Sequence, residues 1–72
     1  MKSLMQAIDA SPNKAAFRTL DDGVVLNIKE NPNGTFTLTT ETLKEFAGIS
    51  WQDVIVYLHG RHISIHTDWK AR

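Results

Sequence analysis

Two alternating apolar runs face each other across a dense turn signal, and no other stretch of this chain restricts its fold so strongly. Val24, Leu26 and Ile28 share one side of the first run; Phe36 and Leu38 alternate with Thr35, Thr37 and Thr39 in the second. Between them stands Asn31-Pro32-Asn33-Gly34. Asn-Gly accepts the positive φ of a tight turn, and Pro32 fixes the chain's entry into it. A period of two on both sides of such a turn predicts a β-hairpin with one buried face.

Upstream, Leu4, Met5 and Ile8 form a short helical stripe over residues 3–10, with Ser3 as its N-cap. Ser11-Pro12-Asn13 ends it, because the residue before a proline avoids the helical region. Residues 14–20 read as either strand or loop, and Asp21-Asp22-Gly23 is a turn signal. Residues 1–22 are therefore expected to be an N-terminal extension with a short helix, and residues 23–72 the domain proper.

Downstream, Thr40 reads as an N-cap with Glu41 in the first helical turn. Thr42 to Ala47 would continue as a short helix presenting Leu43, Phe46 and Ala47, with Gly48 as its C-cap and Ile49 packing back. Ser50-Trp51-Gln52-Asp53 reads as a turn, 54–58 as a strand, His59-Gly60-Arg61 as a turn, and 62–66 as a last strand with Ile63 and Ile65 inward. The expected fold class is mainly β with a short helix, in the order β-β-α-β-β from residue 24. The expected core is Leu26, Ile28, Phe36, Leu38, Leu43, Phe46, Ile49, Ile55, Tyr57, Ile63 and Ile65.

The chain has 72 residues and no cysteine. One core is all that length supports, and disulfides, thiolate zinc sites and thiol nucleophiles are excluded. Eight Lys and Arg balance eight Asp and Glu. That excludes a uniformly basic nucleic-acid coat but leaves open a locally basic face. No secretory h-region and no apolar run of about 20 residues is present, so a cytoplasmic location with no membrane partner is expected. A cysteine-free domain of this size points to oligomerisation for added stability.

The segment from Gly34 to Thr67 resembles the AbrB/MazE/SpoVT swapped-hairpin family. The matching residues are Gly34, the alternating Thr35-Phe36-Thr37-Leu38-Thr39, then Leu43 to Ile49 with its Gly48-Ile49 ending, Asp53, Ile55, Tyr57, Gly60, Ile63 and Ile65. With Val24–Lys29 as the family's first strand, the resemblance covers residues 24–67. It implies a homodimer in which two hairpins interlock into one barrel-like core and present the first hairpin and the helix to duplex DNA. Thr40 stands where the family's helix opens on proline, and Trp51-Gln52 where its turn has Pro-Gly. SymE-like proteins, with a similar closing Gly turn and strand, are a related resemblance.

The residues expected to touch DNA are Lys29, Lys44 and Arg18 on phosphates, with Asn27, Asn33, Thr35 and Thr37 on bases or backbone. The alternative cationic end is Arg61, Lys70 and Arg72. Trp51, Trp69, Leu4 and Ile8 are expected at a dimer or partner interface, with Trp69 alternatively folding back onto the N-terminal segment. On a strand, His62 and His66 would lie about 13 Å apart at Cα, too far to share one ion easily; with His59 they read as solvent-facing, and no metal or cofactor is expected. General acid–base chemistry needs converged groups. Glu45 and the histidines fall on separate elements without any nucleophile or phosphate-loop motif, so an enzyme is not expected. Three functions follow in order: a homodimeric DNA-binding regulator or antitoxin, a protein–protein interaction module inhibiting a host or toxin protein, and a SymE-like nucleic-acid-acting toxin.

Overall fold

The hairpin expected at the centre of the sequence is also the centre of the molecule. In the computed structural model, which describes residues 2–40 and 46–72, strands β2 (Val25–Glu30) and β3 (Phe36–Thr40) pair antiparallel, with Ile28 opposite Leu38 and Leu26 opposite Thr40. The turn closes through the Asn31 N–H donating to the Thr35 carbonyl at 2.7 Å. The Asn33 side-chain oxygen accepts from the Thr35 backbone N–H at 3.2 Å. Gly34 takes φ +87°, a region costly for any residue with a Cβ.

On one side β2 is joined by β1 (Ala15–Thr19), with Ala16 opposite Ile28. The ambiguous stretch after Asn13 is therefore a strand. On the far side β4 (Phe46–Ile49) pairs with β3, and β5 (Lys70–Ala71) pairs with β1. Among the described residues the result is a five-stranded antiparallel sheet in the order β4-β3-β2-β1-β5, accompanied by two helices, α1 (Leu4–Ala10) and α2 (Trp51–Gly60).

The mainly β class with short helical elements holds, but the element order does not. The helix expected over 42–47 lies outside the described residues up to position 45, and Phe46 and Ala47 are strand. Gly48 has the positive φ a C-cap would need, +71°. It serves instead where the β3–β4 register shifts, with Phe36 opposite Ile49 and Leu38 opposite Phe46. Such a bulge has the same need for a left-handed residue.

The strand expected over 54–58 is helix. Ser50 caps it by accepting the Asp53 N–H at 3.1 Å, and Val54 and Leu58, one turn apart, are fully buried. The β-branched run Val54-Ile55-Val56 favours strand locally. The N-cap and the apolar face at i, i+4 outweigh it once a sheet is there to pack against.

The expected strand over 62–66 is irregular chain, anchored by the Ile63 N–H to Leu58 and by the Leu4 N–H to the Ile65 carbonyl. From residue 24 the order is therefore β-β-β-α-β.

Residues 2–22 are not an appendage. Ser3 and Gln6 form a reciprocal capping box on α1. Leu4, Ala7 and Ile8 of that helix lie in the main core with Ala16, Leu26, Ile28, Phe36, Leu38, Val54, Leu58 and Trp69. The buried stripe takes Ala7 in place of Met5, which is 37% exposed. β1 sits between β2 and β5, so no boundary falls at residue 22.

Of the expected core, Leu26, Ile28, Phe36 and Leu38 are buried, and Ile49, Tyr57, Ile63 and Ile65 pack against its edge. Ile55 is half-buried, Leu43 lies outside the described residues, and Phe46 is exposed, because β4 is the outermost strand and the ring lies at the rim of the core against Tyr57. No helix among the described residues is long and apolar enough to cross a membrane.

Candidate nucleic-acid interface

A sheet with helices on one face leaves its other face to solvent, and strand register decides what stands there. Ala16, Leu26, Ile28, Phe36 and Leu38 point into the core, so their neighbours along each strand point away. Reading across the strands, one row of the open face holds Lys70, Phe17, Asn27 and Thr39. The next holds Ala15, Lys29 and Thr37, joined by Arg72, whose N–H bonds to the Ala15 carbonyl at 2.9 Å and extends the β5 pairing by one residue. Thr35 and Asn31 close the hairpin end.

These side chains are organised. Arg72 Nη1 donates to Asn27 Oδ1 at 2.6 Å, and its guanidinium lies over the Phe17 ring, 5.5 Å from the centroid. Asn31 Nδ2 donates to the hydroxyls of Thr35 and Thr37 at 3.1 and 3.0 Å. An open depression of about 470 Å³ runs between Asn27, Lys29, Thr37, Thr39 and Arg72. Lys29, Lys70 and Arg72 put their charges on this face, and no carboxylate occupies the registered positions of β1, β2, β3 or β5 beside them. Glu30 pairs with Phe36 and belongs to the core side. Among the described residues, Lys29 and Lys70 have no ion-pair partner.

Of the residues expected to touch DNA, Asn27, Lys29, Thr35 and Thr37 come together here. Asn33 stays at the turn, its side-chain oxygen also accepting from the Thr35 hydroxyl at 2.7 Å. Lys44 lies outside the described residues.

Arg18 is elsewhere. It falls in register with Leu26 on the core side, donates through Nη1 to the Ser64 and Thr67 carbonyls at 3.1 Å each, and sits 3.9 Å from Asp68 and 6.0 Å from the Trp69 ring centroid. It is a clamp on the irregular 62–68 segment. Arg61 is also remote from the open face, stacked on Tyr57 at 4.9 Å. Lys70 and Arg72, expected only at the alternative cationic end, join this face, and Phe17 is the member that sequence reasoning missed. The signal for Phe17 was alternation with Ala16, unreadable while residues 14–20 remained undecided.

The expected interface residues are largely interior. Leu4 and Ile8 are fully buried, and Trp69 is 2% exposed, with its indole N–H donating to the Ser64 carbonyl at 2.8 Å. The alternative fold-back is what Trp69 does, since its backbone N–H bonds to the Lys2 carbonyl at 3.2 Å. Trp51 is half-buried, tilted on Phe36 at 5.2 Å between centroids. His59 lies in the last turn of α2, His62 takes φ +59° in the turn after it, and His66 lies in the bend beyond. Among the described residues no three His, Asp or Glu side chains converge as metal ligands would. No protein-family model, curated protein or solved structure matches this chain.

Proposed function

We propose that the chain is a small DNA-binding protein of the regulator or antitoxin type, and that the open sheet face is its contact surface. The segregation of charge carries this reading. A chain of zero net charge holds Lys29, Lys70 and Arg72 on one face, interleaved with Asn27 and a ladder of threonines. Lysine and arginine there neutralise phosphates, and the amide and hydroxyls offer hydrogen bonds to backbone or base edges.

A titration of labelled DNA at two salt concentrations tests it. The Lys29→Ala, Arg72→Ala double variant should weaken binding to every sequence alike and flatten the log–log salt slope by about 1.5–2 for each subunit in contact. Both side chains are exposed, so the melting temperature should stay close to the parent's. No binding at low salt by the parent would end the DNA reading.

The homodimer implied by the family resemblance is part of this proposal. An interlocked barrel needs strands over 54–58 and 62–66, so edge pairing is the form of dimer that better suits this chain. β4 ends the sheet. Antiparallel pairing of two β4 edges about a twofold axis normal to the sheet would keep both open faces on one side and double the charged surface.

A protein-partner reading draws on the same region. Phe46 on that edge strand is 46% exposed beside Tyr57, and Val56 is 63% exposed on α2. Apolar side chains next to a free edge suit strand addition by another chain.

A further inference from the structure

We infer that the open face takes a single nucleic-acid strand rather than a duplex, with Phe17 as a stacking platform; this rests on the nucleic-acid reading above and names its ligand. Most duplex readers insert a helix or a protruding ribbon into a groove. Among the described residues this face has neither: β5, β1, β2 and β3 present their side chains in registered rows, with α1 and α2 packed on the opposite side. A broad sheet face with an aromatic in its middle suits unstacked bases, and about two or three of them cover four strands.

Phe17 holds that middle place, between Lys70 and Asn27 in the sheet row. Arg72 already lies over its ring, so the position accepts a flat π-system or cation, and a base can stack on the ring or on the guanidinium plane. Two depressions meet at this pair. One runs toward Lys29, Asn27 and Arg72, the other along Phe17 and Thr19 toward Lys2 and Lys70. Asp68 and Arg18 also line the second, and they face each other at 3.9 Å. The cations Lys70, Lys29 and Arg72 therefore stand around the ring, Lys70 on one side of β1 and Lys29 on the other. A backbone crossing the face would meet charge before and after the stacked base.

The test compares a short oligothymidylate, its ribose counterpart and a duplex of equal length by fluorescence anisotropy, using the full chain. Either single strand should bind at least about tenfold more tightly than the duplex, with a salt slope near −2 for three contacts. Phe17→Leu, which keeps apolar bulk on the half-buried site, should weaken single-strand binding by about 5- to 100-fold. Phe17→Tyr should retain it, and the melting temperatures of both variants should stay near the parent's. Preference for one sugar identifies DNA or RNA, and each result supports the single-strand assignment. Tighter duplex binding, or single-strand affinity indifferent to Phe17→Leu, overturns it while leaving the nucleic-acid reading intact. Failure of all three oligomers to bind at low salt overturns both.

Discussion

Arg18 and Trp69 show how one side chain can look functional in sequence and be structural in space. An arginine before a turn reads as a phosphate contact, and a tryptophan near the C-terminal end reads as an interface anchor. Together they hold down the irregular segment that follows α2, through the Arg18 bonds to Ser64 and Thr67 and the Trp69 indole bond to Ser64.

Arg18→Ala should therefore cost about 0.5–1.5 kcal/mol in urea unfolding, because it removes two hydrogen bonds whose exposed carbonyls return to water. A loss of DNA affinity at parental stability would return Arg18 to the contact surface. Trp69→Ala should cost about 3–5 kcal/mol, the range for emptying a buried aromatic site, enough to unfold a domain of this size at room temperature. Trp69→Phe should keep most of that stability.

The element most at odds with its local sequence is α2. Valine and isoleucine at 54–56 favour strand, and the helix prevails through the Ser50 cap and the burial of Val54 and Leu58. Exposed Val56 separates the two conformations. Val56→Ala should stabilise the protein by about 0.5 kcal/mol if the residue sits in a helix, and destabilise it by a similar amount if it sits in a strand. Equilibrium unfolding reads the sign. Ser50→Ala should cost about 1 kcal/mol by removing the acceptor for the Asp53 N–H. α1 is easier to read, because the Ser3 cap and a proline two residues beyond its end are both local signals.

As a whole molecule, the chain closes one core from both ends of its sequence. Leu4 and Ile8 from the first turns and Trp69 from the last residues meet in one cluster. Ser11 Oγ donates to the Arg72 carbonyl across 61 positions at 2.7 Å. A variant lacking residues 1–13 should fail to fold, giving a circular dichroism spectrum without a cooperative melt. A stable truncated form would make the N-terminal segment an appendage after all. If β4 edges pair, the melting temperature of the full chain should rise with protein concentration. Phe46→Glu should abolish that dependence while leaving the dilute-limit melting temperature near the parent's, since the ring is 46% exposed.

What the sequence determined by itself is what short-range chemistry controls. The β2–β3 hairpin follows from alternation around Asn31-Pro32-Asn33-Gly34. α1 follows from its cap and its proline stop. Asn27, Lys29, Thr35 and Thr37 share a side because alternate residues of paired strands must. What only the tertiary structure decided depends on partners far along the chain. β1 gained its strand identity from β2 and β5, α2 from the sheet it covers, and Trp69 its burial from the Lys2 backbone. Arg72 reached Asn27 across 45 positions, and that approach turned three scattered cations into one face. Local preference is worth a few tenths of a kcal/mol per residue. Burying one large apolar side chain is worth roughly 1.5–3 kcal/mol, so wherever the two disagreed, packing prevailed.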